Sequence, residues 1–141
     1  MSICSDFGDI MILHDTASIV IEKDGKFLLM KRGHKPEMNY WAVPGGHVDK
    51  GETIYQAIAR EAKEEVGKIK ITSKKPVYIF IHDIELGHRH KAHIFLGRVS
   101  GKLRARSDAK RLGFFTTNQM KRMNVTHYTK KIFNKLYGRV V

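Results

Sequence analysis

The feature that most constrains this chain is the run PGGHVDKGETIYQAIAREAKEEVGK, residues 44–68. It gathers five acids, Asp49, Glu52, Glu61, Glu64 and Glu65, in a chain with 26 Lys+Arg, 14 Asp+Glu and a formal net charge of +12. Thr53 followed by Gln56 has the spacing of a capping box, in which each side chain satisfies the other residue's backbone N–H. Gly67 supplies a stop, because glycine enters the left-handed conformation without a Cβ penalty. These signals predict a helix from about residue 53 to 66. At about 100° per residue, Tyr55, Ile58, Ala59, Ala62 and Val66 gather on one side as its expected core face. Glu61, Glu64 and Glu65 gather on the adjacent arc, with Ala57 among them.

Glutamates three and four residues apart repel, by roughly 0.2–0.5 kcal/mol per pair. Such an arc is either a solvated acidic face or a cation site. Two neighbours favour the cation. Arg60 lies one turn before Glu64, where it orients the carboxylates, and Pro44-Gly45-Gly46 lets backbone carbonyls approach whatever they hold. Hard oxygen donors of this kind suit Mg²⁺ or Mn²⁺, with waters and substrate phosphates completing the coordination.

The remaining charge is distributed to match. From Leu86 onward there are 14 Lys+Arg and one acid, Asp108. That asymmetry favours polyanions such as nucleotides, polyphosphates or RNA, although a solvated basic surface accounts for many of these residues equally well. At 141 residues the chain is expected to form one domain, 1–141. No apolar run approaches the ~18–20 residues of a membrane span. The start MSICSDFGDIMILHD is interrupted by Asp6, Gly8 and Asp9 and lacks a secretion-signal pattern. A single cysteine, Cys4, excludes internal disulfides and fits a reducing compartment, so a cytoplasmic location is expected. Monomer and homodimer both remain open.

Residues 17–22 and 26–32 are apolar and partly β-branched, and the intervening KDG predicts a β-hairpin. Residues 33–43 form a loop returning to a short extended segment. Further strands are expected within 69–82 and at 92–100, joined by a Gly- and His-rich loop, with a last short strand at 111–117. Two closing helices follow, capped by Thr117 and Thr126, the second ending at Gly138. Strands with helices at separate points indicate an α+β or α/β sandwich.

The order Gly46, five residues, Glu52, seven residues, Arg60-Glu61-Ala62, one residue, Glu64-Glu65, one residue, Gly67 resembles the Nudix box. FLLMKRG, YWAVPGG and RSDAKRLGFFTTNQM around it also look like Nudix neighbours. Lys68 departs from the pattern, which normally closes on an aliphatic residue, and Ile69 stands beside it. A second departure is the loop before the last strand, where many relatives carry Glu and the nearest acid here is Asp108, with a shorter reach.

The resemblance implies an α/β/α sandwich around a mixed sheet, with the box as a loop-helix-loop. It also implies Mg²⁺-dependent hydrolysis of a nucleoside diphosphate linked to another group. By it, Glu61, Glu64 and Glu65 are metal ligands, joined by the Gly46 carbonyl, and Glu52 pairs with Arg60 to fix the loop against the helix. A carboxylate then serves as general base, Glu61 or Glu64 first and Asp108 behind them.

Substrate contacts are less marked. Arg32 is a candidate phosphate contact, and Tyr40 and Trp41 candidates to stack a base, with core packing the stronger role for Trp41. Tyr78, Phe80 and His82 alternate on one strand face and are candidates to line a pocket. His88, His90 and His93 fit no zinc spacing and are expected in a solvated loop. Nucleoside triphosphates, dinucleoside polyphosphates and ADP-ribose-type molecules are all candidate substrates. Many ADP-ribose-type relatives carry an extra N-terminal segment, and by that comparison the short N-terminal stretch here is expected to favour triphosphates. Two further functions stay open: removal of RNA 5′ phosphates by way of the basic C-terminal half, and a non-catalytic nucleotide sensor.

Overall fold

The computed structural model describes residues 12–104 and 109–138. Among them, β1 (Ile12–Lys23) and β2 (Lys26–Arg32) form the expected hairpin, paired as Glu22 with Phe27 and Lys23 with Lys26. Asp24 and Gly25 both have positive φ, 53° and 78°, which is the turn geometry that matches strand twist in a two-residue hairpin. The short strands β3 (Trp41–Ala42) and β4 (Gly45–His47) follow, and then the helix α1 (Ile54–Glu65). β5 (Gly67–Ile71), β6 (Tyr78–Glu85), β7 (His88–Leu103) and β8 (Ala109–Phe115) complete the strands. Two helices close the fold, α2 (Thr117–Met120) and α3 (His127–Tyr137).

The strands form one mixed sheet in the order β3-β2-β1-β7-β5, with β4 on β1, β6 on β7 and β8 on β2. β1 and β7 run parallel through ten paired residues, from Ile12 with His88 to Ile21 with Gly97. Because successive strand residues face opposite ways, β1 and β2 feed two cores. Ala17, Ile19, Ile21 and Leu28 join Ala57, Ile58, Ala62 and Val66 of the α1 layer. Val20, Phe27 and Leu29 join Met120, Ile132 and Phe133 on the opposite face. Helices therefore cover both faces of a mixed sheet.

Several expectations change in detail. The segment expected as a His-rich loop is strand: β6 runs to Glu85 and β7 begins at His88, so only the turn at Leu86 and Gly87 separates them. Polar alternation hid this strand, because its half-buried positions are histidines rather than aliphatics. The 69–82 region divides into β5 and β6. The cap of α2 is Thr116 rather than Thr117, since Thr116 Oγ accepts from Gln119 N–H and Gln119 reciprocates.

The departure at Lys68 is absorbed locally. Pairing of β5 with β7 shifts register between Gly67 and Ile69, leaving Lys68 exposed while Ile69 packs on the α1 core.

Candidate active site

The site is built from β4, the turn that follows it, and α1. β4 lies antiparallel on β1, pairing Ser18 with Gly45, Ala17 with Gly46 and Thr16 with His47. Glu52 closes the following turn by accepting from Asp49 N–H at 2.8 Å. Thr53 then caps α1 through the reciprocal bonds with Gln56, at 3.1 and 2.9 Å. The predicted helix boundaries hold.

The face that α1 buries differs from the one expected. Ala57, Ile58, Ala62 and Glu65 are buried, whereas Tyr55 is 45% exposed and Ala59 is also exposed. The helix is turned so that part of its acidic arc faces the Gly45–Gly46 strand. The contact there is polar: Glu65, only 7% exposed, accepts from Gly45 N–H at 2.8 Å through Oε1. Glu61 lies directly against Gly46, where a Cβ would overlap its carboxylate. Only glycine permits that approach.

Arg60 organises the rest. Its Nε and Nη2 donate to the two oxygens of Glu52 at 2.7 and 3.0 Å, a bidentate pair. Nη2 also reaches the His47 carbonyl at 3.0 Å and Asp49 at 3.3 Å. Nη1 reaches Glu64 at 2.7 Å and Glu61 at 3.2 Å. The guanidinium thus ties the turn, the strand and the helix together. Its own pKa rises, chiefly through the bond with Glu52, and the same bond holds the Glu52 carboxyl below the usual carboxylate range. Burial pushes Glu61 up; Arg60 opposes that rise, and Glu64 and Asp49 add to it.

One guanidinium faces the carboxylates of Asp49, Glu52, Glu61 and Glu64, with Glu65 beside them. The cluster is left electronegative and rich in hard oxygen. Among the described residues no group of three or more His, Cys, Asp or Glu is already closed around a metal position. The donor set nonetheless fits a divalent cation such as Mg²⁺, which takes a few carboxylates and keeps waters. A partly buried carboxylate whose charge is disfavoured by burial, and a strand that leaves room for no Cβ, are what such an ion would meet.

The other sequence candidates fall elsewhere. Arg32, at the end of β2, is held by the loop it precedes: its Nε donates to the Pro36 carbonyl at 3.0 Å, and Nη2 lies 3.2 Å from His34. Trp41 is 9% exposed in the α3-side core, edge-on to Phe115, so its packing is that of a core residue. Phe80 is 8% exposed in the same core, stacked on Tyr78. Asp108 lies outside the described residues. His14, His47 and Tyr128 carry no local signal in the sequence, and only the pairing of distant strands places them. Tyr128 shares a hydrogen bond with Ser18 on β1, and burial pushes its phenol up, with Glu65 adding to the rise.

A mixed sheet between helical layers thus presents an arginine-locked carboxylate helix to a Gly-Gly strand. The NUDIX domain family model matches residues 12–136, and the chain belongs to that family, whose hydrolases act on pyrophosphate bonds. It is 38% identical over 120 residues to an ADP-ribose pyrophosphatase of Methanocaldococcus jannaschii, covering 83% of this chain and 71% of that one. It is 32% identical over 89 residues to a CTP pyrophosphohydrolase of Escherichia coli strain K12, covering 60% of this chain and 64% of that protein. A MutT NUDIX hydrolase from Burkholderia pseudomallei superposes with a TM-score of 0.76 at 28% identity, covering 89% of this chain and 98% of the other. Among the described residues no helix is long and apolar enough to cross a membrane.

Proposed function

We propose that this Nudix hydrolase cleaves the pyrophosphate linkage of a small nucleotide in which a nucleoside diphosphate is joined to another group. The observation that carries the proposal is the packing of Glu61 and Glu65 against Gly46 and Gly45, under an Arg60 bound bidentately by Glu52. Glu61, Glu64, Glu65 and the Gly46 carbonyl would hold Mg²⁺ or Mn²⁺, which when bound screens phosphate charge and acidifies water.

The chain's own groups then have distinct tasks. Water adds to one phosphorus, the bridging P–O bond breaks, and the leaving phosphate departs with the bridging oxygen. Glu61 accepts the water's proton, because it is the mostly buried carboxylate aimed at the Gly46 strand. Glu64, 50% exposed at the rim, is the alternative base. Arg60 and Glu52 are positioning residues that hold β4 and α1 at one spacing.

The substrate class follows from resemblance. The match to an ADP-ribose pyrophosphatase extends over most of the chain and supports an ADP-ribose-type substrate. The shorter match to the CTP pyrophosphohydrolase supports a nucleoside triphosphate as the second reading.

The test is a product-resolved screen of ADP-ribose, nucleoside triphosphates and dinucleoside polyphosphates with Mg²⁺. The native chain is expected to cleave at least one of them. Glu65→Gln is expected to lose orders of magnitude in turnover while keeping its fold, since the amide oxygen still accepts from Gly45 N–H. Full Mg²⁺-dependent activity in that variant would remove Glu65 from the site.

A further inference from the structure

Four histidines that the hydrolytic reaction does not use converge on the sheet face opposite α1. Strand register brings them there. In the parallel pairing of β1 with β7, Ile12 pairs with His88 and His14 with His90, so the two β7 histidines alternate onto the same face as His14. In the antiparallel pairing of β1 with β4, Thr16 opposite His47 puts His47 on that face too. Of the six pairs among the four rings, five are in edge contact. Their centroids lie 4.8 Å (His47–His90), 5.1 Å (His14–His88 and His88–His90), 5.6 Å (His14–His47) and 6.0 Å (His14–His90) apart.

That spacing has a chemical meaning. Four imidazoles bound tetrahedrally to one zinc at about 2.0–2.1 Å place their ring centroids ~5 Å from one another. As placed, no three of these side chains among the described residues already surround one metal position, so an ion would have to draw the rings round about their side-chain torsions. His90 Nε2 is buried with no hydrogen-bond partner in the structure, a lone pair or N–H left unused inside the cluster. Burial, followed by the neighbouring histidines His47, His88, His14 and His82, pushes the His90 imidazole down to about 4. A neutral imidazole nitrogen is the form that ligates metals. His14 and His47 are exposed, which leaves an access path for an ion.

We propose that His14, His47, His88 and His90 form a binding site for a borderline d-block divalent cation, with Zn²⁺ the reference ion, distinct from the carboxylate site on α1. An all-imidazole donor set selects Zn²⁺, Ni²⁺ or Cu²⁺ over Mg²⁺, whereas the glutamate cluster has the opposite preference. The two sites share one structural element, since His47 follows Gly46 and its carbonyl accepts from Arg60. An ion on the imidazole face therefore stiffens the strand that positions the carboxylates.

The experiment uses the untagged full chain, stripped with chelator and held in excess Mg²⁺ so that the carboxylates are occupied. Zn²⁺ is titrated by calorimetry against a competing chelator, and Co²⁺ by visible absorption. One Zn²⁺ per chain is expected, and the Co²⁺ form is expected to show intense tetrahedral bands rather than the pale octahedral spectrum of an oxygen site. His14→Gln and His90→Gln should each weaken Zn²⁺ by more than the about tenfold to hundredfold typical of losing a supporting partner, and Glu61→Gln should not weaken it. The exposed position of His14 makes His14→Gln a variant that retains its fold, checked by its melting curve. Native-like Zn²⁺ affinity in both histidine variants overturns the proposal, as does loss of Zn²⁺ in Glu61→Gln alone. The readout is binding by histidine variants, so its failure and failure of the hydrolytic reading are separate results.

Discussion

Gly46→Ala tests the site at its narrowest point. Gly46 does not have positive φ, so alanine is compatible with its backbone. The substitution therefore acts through space alone. The new Cβ would overlap Oε2 and Cδ of Glu61 and stand 2.8 Å from Oε1, where ordinary contact is 3.4–4 Å. Glu61 must retreat by about 1 Å, and a displacement of that size at a reacting group can cost on the order of 10²-fold in rate. Stability should change little. Glycine to alanine at a compatible position contributes about 0.4–1 kcal/mol through the unfolded chain, offsetting the shifted carboxylate. The assay is Mg²⁺-dependent turnover on the best substrate of the screen, with a melting curve as fold control. Glu61→Asp, whose shorter side chain relieves the overlap, should lower the further cost of Gly46→Ala to about tenfold or less, a coupling that a double-mutant cycle reads directly. Turnover of Gly46→Ala within threefold of native would refute the contact between this strand and the reacting carboxylate.

Three other outcomes are expected. Glu52→Gln frees Arg60 from its bidentate partner, so turnover should fall. Because the Glu52 carboxyl is lowered in the fold, its stabilising effect is present above the ordinary carboxylate range and lost as pH falls through the lowered value; the native-minus-variant difference in urea midpoint should vanish at low pH. Phe133→Ala removes a side chain that is fully buried and edge-on to Phe27 at 5.0 Å, and should cost about 3–5 kcal/mol in urea unfolding; a loss under 1 kcal/mol would contradict the packing. His90 stays neutral in the fold down to about 4, whereas the unfolded chain takes up that proton near its ordinary 6.5. Native stability should therefore decline as pH falls from 6.5 toward 4, and His90→Gln should flatten that decline in a series of melting curves; an unchanged slope would deny the burial of this ring.

Features whose hydrogen bonds close within a few residues were legible in the sequence. Thr53 and Gln56 cap α1 reciprocally, Asp24 and Gly25 turn the first hairpin, and Arg60 reaches Glu64 one turn on, all without help from the rest of the chain. The glutamate pattern likewise belongs to the helix itself, so the candidate carboxylate cluster could be listed by residue before any fold was known.

The tertiary structure decided what those residues face. The choice of Ala57 and Glu65 over Tyr55 and Ala59 for burial depends on Gly45 and Gly46, which reach α1 only because β4 pairs with β1. Trp41 and Phe80 are core because α3 and β8 fold over them. The four-histidine cluster draws on β1, β4 and β7, and its members are up to 76 positions apart, His14 to His90. Strand register is set by pairing over such separations, and a shift of one residue would send each histidine of that strand to the opposite face. Local chemistry is written in neighbouring residues; the meeting of distant side chains depends on register, which the hydrophobic pattern of the whole sheet determines.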